Sequence, residues 1–374
     1  MDKLIITQHD TQILTLHLKD GVPYRLHLEG GESGTPAIGD VYRAKVQSVN
    51  TGLKNAFLEL GEGQRAYMNL TEATTHLKPG QEVTVLLTQE GVGDKFPTAT
   101  TELSFPGEWL VLSADPGFLG FSRRASFDGP QRETIHQMLE PYFAECGFIL
   151  RTAAEQVPLA RIGEEAGQLA AAYRSLLQKA AHSPAPLRLL KGQPLYKDWA
   201  QGLPKEAAEI ITDIPAVYED LLAYFREKGL PQEGLLFYQD DNLSLTSLYK
   251  VEKALGEARD KKVWLKSGAY LVIQHTEAMT VIDVNSGKND TQGKGTIEKI
   301  NQEAAREVAR QLILRNLSGM ILVDFINMKD SEQQKALLAL LRDMVREDPV
   351  FTQVVDITPL GLVEMTRRRI RKPL

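Results

Sequence analysis

Two short apolar runs, each carrying an aspartate, flank a long amphipathic stretch, and this arrangement constrains the chain more than any other feature. The first run is Met279-Thr280-Val281-Ile282-Asp283-Val284-Asn285 and the second is Met320-Ile321-Leu322-Val323-Asp324-Phe325-Ile326-Asn327. Between them, Ile297, Ile300, Ala304, Val308 and Leu312 recur on one face of a helix over 296–317. A second helix over 331–346 and a strand over 351–357 continue the alternation. Such a pattern predicts parallel strands joined by right-handed crossovers. The C-terminal ends of both strands then share one edge, where open α/β sheets bind ligands.

A carboxylate inside an apolar strand is costly to bury unless it is paired or holds a cation. If the two strands are neighbours, they lie about 4.8 Å apart. Asp283 and Asp324 at matching depth can then share one Mg²⁺, an ion that takes a few carboxylates, several waters and phosphate oxygens. The plain alternative is a turn or helix-capping aspartate at each strand end. Period two sets Asn285 on the face of Asp283, whereas Asn327 is out of phase with Asp324.

Upstream, the chain is rich in short strands. Leu14, Leu16 and Leu18 alternate with polar residues, and a hairpin returns through Asp20-Gly21 into Val22–Leu28. Strands over 41–49, 56–60, 64–68 and 83–88, broken by Gly, Asn and Pro turns, suit a small closed barrel. Strands at 109–113 and 148–151 and helices at 130–143 and 162–181 follow, up to Ser183-Pro184-Ala185-Pro186. Beyond it, 204–212 and 216–228 read as helices and 235–238 as a strand.

The 374 residues allow two or three domains. No run is long and apolar enough for a membrane helix, and no signal peptide is evident. The single cysteine, Cys146, excludes intrachain disulfides and multi-cysteine metal sites, and with these features points to the cytoplasm. The net charge of −6 confines any nucleic-acid binding to local basic patches.

Two such patches stand out. The loop from Gly287 to Gly295 carries Lys288 and Lys294, but it departs from a strict phosphate loop. Five residues separate Gly287 from Gly293 where four are needed, and Gly295 stands where Ser or Thr belongs. It reads either as a basic loop near a nucleic-acid phosphate or as a plain surface loop. The segment from Glu364 to Lys372 sets five basic residues, Arg367, Arg368 and Arg369 among them, against one acid. It reads as a phosphate contact or as a solvated helix face.

The stretches His275–Ser286, Asn301–Leu312, Gly319–Met328 and Gly361–Arg367 resemble, in order, the catalytic core of the ribonuclease E/G family. The likeness is strongest over 263–371 and extends more weakly to the N-terminus. It implies an α/β multidomain chain. A split ribonuclease H-like scaffold (1–38 and 187–258) would accept an S1 barrel of the OB-fold class (39–108) and a 5′-monophosphate sensor region (109–186). A DNase I-like catalytic domain (259–374) would follow.

In site terms, the resemblance implies Asp283 and Asp324 as Mg²⁺ ligands, with Mn²⁺ as an alternative ion, and Asn285 in support. Gly39–Val46 and Asn55–Gly61 carry the barrel match, and Phe57 and Tyr67 fall where the family has RNA-contacting aromatics; barrel core is their other reading. Gly147–Ala153 resembles the pocket for an RNA 5′-monophosphate, with Arg151 offering a bidentate fork and Thr152 a hydroxyl. An internal salt bridge is the other reading of Arg151. Arg123 and Arg124, in Gly120–Arg124, resemble a backbone-contact motif, a role also open to Lys288, Lys294 and Arg367–Arg369.

The implied activity is endonucleolytic cleavage of single-stranded RNA, favouring 5′-monophosphorylated substrates and leaving 5′-phosphate and 3′-hydroxyl ends. Two departures from the family are visible. Its Cys-Pro-x-Cys zinc motif is absent, which implies no structural zinc and no zinc-linked homodimer, although a dimer through another surface stays open. Its Lys-Gly-x-x-x-Thr segment is here Lys95-Phe96-Pro97-Thr98-Ala99-Thr100. A non-catalytic RNA-binding paralogue is the alternative, and a small-molecule phosphoesterase a distant third.

Overall fold

The computed structural model describes every residue except 31–34, 94, 123–124, 205–207, 288–294 and 329. The chain divides into two compact units, Gly34–Gln193 and Met1–Ser33 with Pro194–Leu374. No described helix is long and apolar enough to cross a membrane.

Gly34–Gln193 contains the barrel. Strands Val41–Asn50, Asn55–Gly61, Gln64–Asn69, Thr98–Thr100 and Glu82–Gln89 neighbour one another, and the first and last also pair, closing the ring. Ala44, Val46, Ala56, Leu58, Ala66 and Met68 fill its interior. Alternation sends Phe57 and Tyr67 outward. Leu187–Leu190, expected in the flanking scaffold, instead pairs with Val41–Asn50. A four-stranded sheet in the same unit places Gly147–Leu150 between Leu119–Phe121 and Leu110–Ser113, packed on helices Gly129–Leu139 and Leu159–His182.

The other unit holds two sheets. In the first, Asp2–His9 lies at the centre, antiparallel to Gln12–Lys19 and parallel to Ala208–Thr212. The segment 204–212 reads as helix from sequence, yet its described C-terminal part is a strand in register Ile5↔Ile211. Ile210 and Ile211 are both buried, as befits an interior strand covered on its two faces.

The second sheet carries the two aspartates. Its strands are β1 (Lys262–Trp264), β2 (Tyr270–His275), β3 (Met279–Asn285), β4 (Gly319–Asp324), β5 (Thr352–Ile357) and β6 (Val363–Arg367), in the order β1-β2-β3-β4-β6-β5. Helices α1 (Thr296–Leu314) and α2 (Ser331–Met344) provide the crossovers. β3 and β4 are the one pair of neighbours that is parallel; β5 points the same way as both, but the antiparallel β6 lies between it and β4, so the expected run of adjacent parallel strands is interrupted after β4. Leu271, Ile273, Ile282, Val284, Ile321 and Val323 pack against the helices. On the opposite face, Val281, Asp283, Met320 and Asp324 are exposed. Here the aspartates differ from the sequence-based picture of carboxylates buried in apolar strands: water on the open face removes the desolvation cost.

Candidate active site and nucleic-acid contacts

β3 and β4 pair in parallel register, and the register sets Asp283 beside Asp324. Both lie at the C-terminal ends of their strands, on the open face. Asn285 shares that face, and its Nδ2 donates to Asp283 Oδ2 at 2.7 Å. The contact orients one carboxylate and leaves its other oxygen for a further partner. Like charges held side by side repel, so the pair gains from a cation. Two carboxylates, with water and phosphate completing the shell, form a fitting donor set for Mg²⁺. No group of three or more His, Cys, Asp or Glu side chains disposed for a metal occurs among the described residues.

Gly287 begins the loop that follows β3. Its φ is 65°, and a Cβ there would lie 2.4 Å from the Gly268 carbonyl oxygen. The glycine is thus required for the chain to pass the β1–β2 connection. Lys288 and Lys294, two sequence candidates, lie outside the described residues, as do Arg123 and Arg124.

The C-terminal basic cluster does not surround the carboxylates. Arg367 pairs with Gly319, at the opposite end of β4, roughly 16 Å from Asp324 along the strand. Its guanidinium is buried. Nε donates to Asp348 Oδ2 at 2.6 Å and Nη2 to Oδ1 at 3.1 Å, while Nη1 donates to Asn316 Oδ1 at 2.8 Å and to the Leu317 carbonyl at 3.1 Å. Arg367 is therefore placed as a structural cation, and its expected role as an RNA contact is corrected: the guanidinium is buried and spends four of its five N–H donors on internal partners, out of reach of a phosphate. Arg368 is exposed. Arg369 is half-buried near His275, whose pKa is lowered by burial and then by the Arg369 charge.

On the barrel, Phe57 and Tyr67 are cross-strand partners with ring centroids 5.9 Å apart in an edge-to-face arrangement. The Tyr67 hydroxyl donates to Asn69 Oδ1 at 2.7 Å. Both rings are half-buried on the outer side of the barrel, apart from the cluster that fills its interior. Phe96, exposed and likewise edge-to-face with Phe57 at 5.9 Å, joins them. Sequence reasoning passed over this third ring, although its place beside Lys95 was a signal.

Arg151 and Thr152 follow the strand Gly147–Leu150, and both are exposed. Arg151 Nη1 donates to the Gly107 carbonyl at 2.6 Å, and its backbone N–H to the Trp109 carbonyl at 2.8 Å. Glu165, itself buried, accepts the N–H groups of Glu108, Trp109 and Leu110 and so fixes the turn that orients Arg151. Thr152 Oγ1 lies 2.9 Å from Ser122 Oγ, a neighbouring hydroxyl that sequence reasoning did not assign to this position.

Comparison with known proteins supplies the context for these arrangements. The model of the ribonuclease E/G family matches residues 104–370, most of the chain. The chain belongs to that family. It is 28% identical to ribonuclease G of Salmonella typhimurium over 397 residues, covering 99% of this chain and 80% of that protein. It is 29% identical to ribonuclease E of Synechocystis over 390 residues, covering 99% of this chain and 57% of the longer relative. A ribonuclease E of Nostoc is 30% identical over a similar span, 99% of this chain and 56% of the relative. Family membership accords with the mixed α/β architecture and the OB-like barrel.

Proposed function

We propose that the protein is a Mg²⁺-dependent endoribonuclease that cuts single-stranded RNA to leave 5′-phosphate and 3′-hydroxyl ends, preferring substrates with a 5′-monophosphate. The observation that carries this reading is the Asp283–Asp324 register at the open end of β3 and β4. Asp283 and Asp324 would hold the ion, and Asn285 would keep Asp283 turned toward it. When bound, the ion lowers the pKa of a coordinated water and offsets charge developing on the scissile phosphate. The barrel rings would stack unpaired bases, which explains a preference for single strands. Arg151, Thr152 and Ser122 would grip a terminal phosphate. In this reading the barrel is the S1 RNA-binding domain, 109–186 the sensor region, 259–374 a DNase I-like catalytic domain, and the sheet around Asp2–His9 the ribonuclease H-like scaffold.

The test is cleavage of a 5′-monophosphorylated single-stranded RNA with and without Mg²⁺ by the wild type, Asp283→Asn and Asp324→Asn. Both variants should lose cleavage while binding RNA nearly as well. Mg²⁺ should raise the melting temperature of the wild type but of neither variant, because binding to the folded state stabilises it. Near wild-type cleavage by either variant would rule out the shared ion.

A further inference from the structure

The open face beside the two aspartates carries a second, unassigned cluster. The register runs Asp324↔Asp283 across β4 and β3, Asp283↔Val272 onto β2, and Val272↔Lys262 onto β1. One step along, Asn285 pairs with Tyr270 and Tyr270 with Trp264. Registered partners in neighbouring strands share a face, so Lys262, Trp264 and Tyr270 stand on the face of Asp283, Asp324 and Asn285. Lys262 lies two strand spacings, about 10 Å, from Asp283.

The chemistry of this cluster is that of a nucleotide contact. The Trp264 and Tyr270 ring centroids are 5.2 Å apart. The Lys262 ammonium sits 4.0 Å from the Trp264 centroid and 3.6 Å from that of Tyr270. Trp264 is nevertheless 64% exposed, an unusual surface position for the largest apolar side chain. Two aromatic rings and a cation held against them would be a poor choice for a plain sheet edge. They supply a π-face for a base and a positive charge for its phosphate. Asp283 and Asp324 put negative charge on the same face, and the Lys262 ammonium is a group among the described residues there that attracts the backbone of an approaching strand.

We infer that Lys262, Trp264 and Tyr270 form a subsite for an unpaired nucleotide flanking the scissile phosphate, with the base against the exposed indole and the phosphate on Lys262. The subsite rests on the proposed nuclease reading. It would hold the strand on the catalytic sheet itself, independently of the barrel aromatics, and so set the position of the cut.

Single-turnover cleavage tests it with RNAs of one sequence that carry an abasic ribose at successive positions on either side of the cut. In the wild type, one flanking position should be sensitive, losing roughly tenfold in rate when the base is removed. Trp264→Ala should lose a similar factor on intact RNA and nothing further on the RNA lacking that base, while Trp264→Phe restores most of the rate. Lys262→Gln should raise KM and flatten its salt dependence with little change in kcat.

A contact measurement without turnover accompanies the rates. A short unpaired oligoribonucleotide should quench tryptophan emission of Asp283→Asn protein and quench it much less when Trp264 is also replaced by Phe. If the wild type does not cleave but this quenching occurs, the nuclease reading fails and the nucleotide subsite stands. If the wild type cleaves and Trp264→Ala cuts intact RNA at the wild-type rate, the subsite is refuted. Equal losses by Trp264→Ala on intact and abasic RNA would also refute it, by assigning the ring to packing. So would a change in oligomeric mass without an RNA phenotype, which would assign the face to a second copy of the chain.

Discussion

Replacing Arg367 by alanine should unfold the sheet that carries the aspartates more readily and should leave RNA contacts at the carboxylates unaltered. Arg367 and Asp348 side chains are 3% and 1% exposed. Removing the guanidinium deletes two hydrogen bonds to Asp348, one to Asn316 and one to the Leu317 carbonyl. Asp348 keeps the Val350 N–H at 2.9 Å and the Thr352 hydroxyl at 2.8 Å, but its charge stays buried without a cation. Breaking a buried pair in this way costs about 3–5 kcal/mol. At roughly 2–4 °C per kcal/mol for a unit of this size, the melting temperature should fall by about 6–20 °C. Arg367→Lys should recover only part of the loss, because an ammonium lacks the fork that meets both carboxylate oxygens. A cycle with Asp348→Asn, read by urea unfolding, isolates the pair: the second substitution should cost much less in the Arg367→Ala background than in the wild type. The reasoning fails if Arg367→Ala melts within a degree or two of wild type and instead weakens RNA binding with a shallower salt dependence, the signature of a phosphate contact.

Three further outcomes follow from the geometry. Phe57→Ala and Tyr67→Ala should each weaken binding of single-stranded RNA by about 1–3 kcal/mol, with losses that do not add because the rings touch; anisotropy titrations in both single variants and the double variant check this. A 5′-monophosphorylated RNA should be cut about tenfold or more faster than its 5′-hydroxyl counterpart, and Arg151→Ala should abolish the difference; equal wild-type rates would remove the sensor role. Burial, with the nearby Arg371 charge, lowers the His27 pKa from 6.5 to about 3. The unfolded chain therefore takes up the proton first, so this contribution is full above about pH 6.5 and is lost as the pH falls toward 3. By pH 5 the loss is about 2 kcal/mol, and His27→Gln should remove most of it from urea midpoints measured at pH 7.5 and 5.

Local periodicity was enough to locate β3, α1, β4 and α2, because period two and period 3.6 are properties of the chain before it folds. The same holds for four of the five strands that close the barrel, the three-residue Thr98–Thr100 being too short to show a period, and for the pairing of Asn285 with Asp283, which needs only two residues of one strand. Ala208–Thr212 read as helix because nothing nearby announces its partner: it is ordered by Asp2–His9, some two hundred residues earlier, as the Ile5↔Ile211 register shows. β1, β2 and β6 were likewise hidden, being short or masked by charge, and with them went the placement of Lys262, Trp264 and Tyr270.

The arginines near the C-terminus separate the two kinds of information most clearly. Their sequence records a cluster of positive charge, and charge alone fits a phosphate contact as well as it fits an ion pair. The fold decides between them by bringing Asp348 against Arg367 and enclosing both. For the aspartates, sequence determined that two carboxylates occupy comparable strands. Tertiary structure decided that the strands are neighbours, that the register is Asp283↔Asp324, and that their face is open to water. A residue's charge is a local property, whereas its neutralisation, burial and access to a substrate depend on which distant groups the packed chain sets beside it.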